Sequence, residues 1–175
     1  MRAAKVLSLT ALTLILCTSQ ILAAGKGNKG NKGSDEEQIK ALEQRILDGA
    51  KAKDADAIMK NFVPDETLVV FDVIPPREYD GADAYKKDWE GFLGSFDGPI
   101  TFELADLKVV SDGKMALAHY ITHLTGKGKD GNPVDITTRN TDVLRKTDGK
   151  WLIIHEHVSV PVDIATGKAD LTSKP

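Results

Sequence analysis

The chain has one cysteine, Cys17, and none in the 158 residues after it. Without a second cysteine there is no internal disulfide, and a catalytic thiol or cysteine-held metal is excluded from everything beyond the N-terminal segment. Clustered basic charge is also missing. The formal charge is −3 and no basic stripe interrupts the domain, which argues against a nucleic-acid footprint. Long apolar runs are scarce as well. The only one, Val6 to Leu22, is broken by Ser8, Thr10, Thr13, Thr18, Ser19 and Gln20, too polar for a spanning helix of about 20 apolar residues. No internal repeat is visible.

That run is preceded by Met1-Arg2 and Lys5 and followed by Ala23-Ala24-Gly25. A charged start, a short apolar centre and small residues at the end predict a secretory signal peptide over residues 1–24, cleaved after Ala23 or Ala24. Leu16 before Cys17 argues against a lipoprotein. Cleavage would leave a secreted or periplasmic protein that touches a membrane only through the removed segment. Losing Arg2 and Lys5 would take the charge to −5, with 21 basic and 26 acidic side chains. Residues 25–33, Gly-Lys-Gly-Asn-Lys-Gly-Asn-Lys-Gly, offer nothing apolar to bury and read as a flexible tether.

From Ser34 the pattern becomes that of a folded domain. Ser34 and Glu37 form a capping box, and Ile39, Leu42, Ile46 and Leu47 share one face of the helix that follows. Asp54 caps a second helix with Ala55, Ile58, Met59 and Phe62 inward. Thr67 to Val73 is β-rich and stops at Pro75-Pro76. A third helix opens at Gly81-Ala82-Asp83, with Tyr85, Trp89, Phe92 and Phe96 at helical spacing. Four strands follow, over 100–110, 114–124, 134–146 and 150–160, with turns at Ser111-Asp112-Gly113, Gly126 to Asn132 and Asp148-Gly149. Helices followed by a meander predict an α+β domain over residues 34–163, with a C-terminal tail over 164–175.

The order helix, helix, strand, helix, antiparallel strands resembles the NTF2-like superfamily. "FDVIPPREYDGADAYKKDW" and "TRNTDVLRKTDGKWLIIHEHVSVPVD" are similar to its SnoaL-like, ketosteroid-isomerase-like branch. The resemblance implies a cone, three N-terminal helices packed on a strongly curved antiparallel sheet, with a pocket at the wide end. That family includes isomerases, cyclases, dehydratases, ligand-binding modules and assembly domains, so the fold alone does not fix a function.

Strand alternation sorts the side chains into two faces. On the fourth strand Leu152, Ile154, Glu156, Val158 and Val160 form one set, and Trp151, Ile153, His155, His157 and Ser159 the other. On the third, Val134, Ile136, Thr138, Asn140, Asp142 and Leu144 oppose Asp135, Thr137, Arg139, Thr141, Val143 and Arg145. The even sets are apolar rows interrupted by polar residues, the pattern of a cavity-lining face. Arg139, His155, His157 and Ser159 then form a polar cluster on the outer face. Two histidines at i, i+2 would need a third ligand for a metal, so the preferred reading is a hydrogen-bonded sheet face with no metal.

The resemblance places the isomerases' proton-transferring aspartate at Asp72 and their oxyanion-stabilising acid at Asp142, with Glu156 as a second candidate for that neutral role. The isomerases' first-helix tyrosine would fall near Ile46, which cannot donate; Tyr79, Tyr85 and Tyr120 are the available substitutes. Tyr79, Trp89, Tyr120, Thr122, Asn140 and Val158 are expected to line the pocket. Three readings stay open: acid–base chemistry on a small hydrophobic or carbonyl-containing molecule, ligand binding without turnover, or a dimeric assembly module of the cell envelope. None requires a cofactor. The expected partners are a small molecule and a second copy of the chain, paired through an outer face that includes Trp151, Ile153 and Val143.

Overall fold

The computed structural model describes residues 34–173, so the signal peptide and tether lie outside the described residues. Helix α1 (Asp35–Lys51) starts where its cap requires. Ser34 Oγ accepts from Glu37 N–H at 3.2 Å, and Glu37 Oε2 accepts from Ser34 N–H at 2.7 Å. Asp35 anchors this end to the sheet, accepting from Lys146 Nζ at 2.6 Å and Trp151 Nε1 at 3.3 Å. Helix α2 (Ala55–Met59) is capped by Asp54, whose carboxylate accepts from Ala57 N–H at 2.9 Å. The two helices meet at Gly49, where a Cβ would lie 2.9 Å from Ile58 Cγ1.

Strands β1 (Val69–Phe71) and β2 (Tyr79–Asp80) precede α3 (Ala82–Gly94). The meander then runs through β3 (Thr101–Ser111), β4 (Met115–Lys127), β5 (Pro133–Thr147) and β6 (Lys150–Ser159). The sheet order is β2-β1-β6-β5-β4-β3. Every pairing is antiparallel except β1 with β6, which is parallel. The sheet is therefore mixed, where an antiparallel one was expected. β6 ends the meander with a free edge, and β1 satisfies it while running in the same direction.

Two bulges bend the sheet. In β3 the register shifts between Ala105 and Lys108, with Asp106 at φ 55°. In β6 Val143 pairs with His155 but Leu144 pairs with Ile153, so Ile154 is the extra residue. An unpaired residue shifts the alternation by one. That overturns the expected placement of Trp151 and Ile153 with the outer histidines. Trp151 is 5% exposed and Ile153 0%, both in the core with Leu144, while Glu156, three residues past Ile153, also faces inward. The bulge falls where β6 changes neighbours. Below it Ile153 exchanges backbone bonds with Asn61 and Val63; above it His155 to His157 pair with β1.

The core lies between the helices and this inner face, built on Ile39, Leu42, Ile58, Phe62, Leu68, Val70, Tyr85, Leu144 and Ile153. Burying each large aliphatic side chain contributes roughly 1.5–3 kcal/mol. The segment expected to be a tail turns back as a hairpin, β7 (Val162–Asp163) and β8 (Lys168–Ala169). Beyond it Leu171 C=O accepts from Thr137 N–H at 2.7 Å, continuing the pairing of β5 where β6 has ended.

Candidate functional site

Between α1, α3 and the inner face of the sheet lies a cavity of about 160 Å³. Ile46 and Leu47 come from α1, Tyr85, Asp88, Trp89 and Phe92 from α3, and Tyr120, Thr122, Asn140, Glu156 and Val158 from β4, β5 and β6. Asp72, Val73 and Ile74, just after β1, form one edge. Val73 and Ile74 are 37% and 45% exposed, so this edge is the mouth. A larger open groove of about 780 Å³ lies between α1, α2 and the β5–β6 turn. Gln38, Arg45, Asp48 and Lys60 in its lining form no buried titratable cluster, and the buried carboxyls lie at the smaller cavity instead.

Most of the expected lining is there: Trp89, Tyr120, Thr122, Asn140 and Val158 all face the cavity, as do Asp72 and Glu156. Two expected residues stand behind its wall. Tyr79 is half-buried and donates its hydroxyl to Asp88 Oδ1 at 2.7 Å. Asp142 is fully buried, its Oδ2 accepting from Tyr120 Oη at 3.0 Å. Asp142 pairs directly with Glu156 in the sheet register, so the two acids share a face. Glu156 is the one in the wall, with its Oε2 accepting from Tyr85 Oη at 2.6 Å. Asn140 Nδ2 donates to Thr122 Oγ1 at 2.6 Å on the same wall.

Sequence reasoning missed two carboxyls. Glu43 is 1% exposed; it lies on the helical stripe Ile39–Glu43–Ile46–Ala50, where a charged residue interrupting an apolar face was the available signal. Asp88 follows Tyr85 by three residues and so shares its face of α3. Tyr85, considered only as a substitute donor, is the one that holds Glu156.

No lysine, arginine or histidine lines this cavity. Arg45 on α1 donates instead to Asn61 Oδ1 at 3.1 Å. Isolated charges in such an interior are costly, so the acids shift toward their neutral forms. Burial, then the charge of Glu156, pushes Glu43 up to about 8. Burial and neighbouring Glu43 raise Asp142 well above the carboxylate range. Burial and Asp142 do the same to Glu156, against the opposing effect of Tyr85. Both oxygens of Glu43 and Oδ1 of Asp142 meet no donor. A proton held between these adjacent carboxyls supplies one. At the mouth, burial and nearby Asp88 raise Asp72 to about 6, although Val73 N–H donates to it. The interior thus offers neutral carboxylic acids as donors, and the mouth offers a carboxylate that ionises near neutrality.

The outer polar cluster does share one face. Arg139 pairs with Ser159, Thr141 with His157 and Val143 with His155. His155 Nδ1 lies 2.8 Å from Val69 O, and Phe71 packs edge-on against both histidine rings. No group of three or more His, Cys, Asp or Glu side chains placed to hold a metal occurs among the described residues.

The SnoaL-like domain family model matches residues 39–163. An NTF2-like protein of unknown function from Pseudomonas putida KT2440 is 34% identical, with a TM-score of 0.71 over 80% of this chain and 96% of that one. An NTF2-like superfamily protein from Salmonella enterica serovar Typhimurium LT2 is 21% identical, with a TM-score of 0.67 over 76% and 95%. A member of the NTF2-like family from Streptomyces avermitilis, named as a candidate dehydratase, is 18% identical, with a TM-score of 0.61 over 70% and 93%. No curated protein matches the chain. The match across the folded region makes this chain a member of the SnoaL-like domain family, with the NTF2-like cone as its fold.

Proposed function

We propose that the cavity binds a small, largely apolar molecule through a carbonyl oxygen and moves a proton on the carbon beside it. The observation that carries this is the pairing, in one cation-free apolar wall, of Asp72 with Glu156. Ionised Asp72 takes the proton from the carbon next to the carbonyl, and the electron pair moves onto the carbonyl oxygen. Neutral Glu156 donates a hydrogen bond to that oxygen, and Asp72 returns the proton to carbon as the carbonyl reforms. A carboxylic acid kept neutral for donation beside an aspartate base is the known division of labour in ketosteroid isomerase. The name of the Streptomyces relative keeps acid–base chemistry within the range of this fold and carries no more.

The test uses cyclohexanone in deuterated buffer at pH 7, with deuterium uptake beside the carbonyl followed by proton NMR. The wild type should accelerate exchange, and Asp72→Asn should lose about 10²-fold of that acceleration. Binding without accelerated exchange would favour a ligand-carrying module, and neither would remove this reading.

The reading includes export after cleavage near Ala23 or Ala24, tested by N-terminal sequencing of protein from the cell envelope. It also includes a homodimer through the outer sheet face. With Trp151 and Ile153 in the core, the apolar contribution to that face comes from Val143, Phe71, and the paired Val110 and Leu117, 70% and 40% exposed. Leu117→Glu should yield monomers in sedimentation, and an unchanged mass would exclude this interface.

A further inference from the structure

The mouth of the cavity holds a second carboxyl with no part in the chemistry above. Asp88 lines the cavity beside Asp72. It is reached from α3, and Tyr79 of β2 donates its hydroxyl to Asp88 Oδ1 at 2.7 Å. That same hydroxyl lies 3.3 Å from Pro75 O, on the loop that forms the rim. Asp72 is held separately, by the backbone N–H of Val73. Two carboxyls thus meet from different elements, each oriented by its own donor, with no cation between them.

We propose that Asp88 is a positioning residue of this pocket: oriented by Tyr79, it faces Asp72 and makes Asp72 the carboxyl that takes and returns the proton. The inference rests on the acid–base reading of the same cavity and assigns the mouth its second member. Asp88 touches no reacting atom in this scheme and acts through Asp72. When Asp72 takes the proton from carbon, its new O–H points to the Asp88 carboxylate, which spreads the remaining single charge over the pair. When the proton returns to carbon, repulsion from Asp88 favours the next transfer to Asp72. An exposed lone aspartate would be too weak a base near neutral pH. Burial and Asp88 raise Asp72 to about 6, close to where a general base works best.

The groups facing Asp72 are Asp88 and Tyr85 of α3, Tyr79 of β2 and Glu156 of β6. Tyr79 and Tyr85 are pushed up by burial and stay neutral. Glu156 is kept protonated by burial and by Asp142. Asp88 is therefore the charged neighbour that adds to burial in raising Asp72, and Tyr79 fixes where its carboxyl sits.

The test needs no ligand. A water-soluble carbodiimide with glycinamide couples carboxyls in their protonated form, and peptide mass spectrometry reads the yield at Asp72 across pH 5–8. Wild-type labelling at Asp72 should fall with a midpoint near pH 6. Asp88→Asn keeps the shape and removes the charge, so labelling of Asp72 at pH 6.5 should drop about 3- to 10-fold, a shift of roughly one unit or less. An unchanged Asp72 profile in Asp88→Asn, with the variant's circular dichroism native, overturns the proposal. If the labelling behaves as expected while cyclohexanone exchange is absent, the carboxyl pair stands and the carbonyl reading falls.

Discussion

Glu156 in the cavity wall, Glu43 and Asp142 buried behind it, and Asp72 and Asp88 at the mouth are all carboxyls with no cation in a salt bridge to them. Their environments separate them. Asp142 is 0% exposed and Glu43 1%, and their neighbours are apolar core residues and each other. Desolvation there outweighs the hydrogen bonds from Tyr120 and Tyr85, and the groups hold their protons. Asp72 is partly exposed at the mouth, receives a backbone N–H, and is raised only to about 6. The same side chain becomes a donor in one place and an acceptor in the other. Depth within the cone, more than residue type, sets which carboxyls hold their protons.

Ile153→Glu adds a carboxyl at a fully buried position below the bulge, among hydrocarbon and with no proton-sharing partner. The loss should be about 4 kcal/mol or more, or no soluble protein at all. Urea unfolding checks it; a loss under about 1 kcal/mol would mean that the lower half of β6 faces outward after all.

The buried acids make the stability of the domain depend on pH. A carboxyl whose folded value is raised binds its proton more tightly in the folded state. Its stabilising contribution is full below the ordinary carboxylate range and is lost as pH rises through the folded value. For Glu43 that window runs from about 4.5 to about 8. Wild-type stability should therefore fall between pH 5 and pH 8, by roughly 1.4 kcal/mol per unit of separation at most. Glu43→Gln should flatten this slope and be more stable than wild type at pH 8. Asp142→Asn keeps an acceptor for Tyr120 and adds a donor for Glu43. It should be neutral or stabilising at pH 7, by about 1 kcal/mol, with the gain fading near pH 4. A loss of several kcal/mol at pH 7 would identify Asp142 as an ionised structural partner instead.

At the mouth the effects are smaller. Tyr79→Phe removes one half-buried hydrogen bond to a carboxylate and should cost about 0.5–1.5 kcal/mol, measured by thermal or urea unfolding at pH 7.

Much of this contrast was legible in residue patterns, and the exceptions have physical causes. The capping box at Ser34 and Glu37, the cap at Asp54 and the four meander strands follow local rules, and all form. The inward direction of Asn140 and Glu156 follows from alternation along β5 and the upper half of β6. Alternation failed at Trp151 and Ile153 because a bulge is a property of the pairing between strands, and nothing in β6 alone marks Ile154 as the extra residue. The parallel partner of β6 was hidden for the same reason, since β1 lies far away in the chain. Glu43 and Asp88 were passed over because a lone acid on a helix usually faces water. Only the tertiary arrangement turns them toward Asp142 and Asp72.

One cavity should hold a protonated acid and an ionisable base at the same pH. Carbon-13 NMR of protein labelled at the aspartate and glutamate carboxyls tests it directly, with Asp72→Asn and Glu156→Gln assigning the two resonances. Asp72 should titrate with a midpoint near pH 6, and Glu156 should stay protonated throughout that transition. A Glu156 resonance that titrates in the ordinary glutamate range, below Asp72, would contradict the account, because the floor would then have no neutral donor to offer.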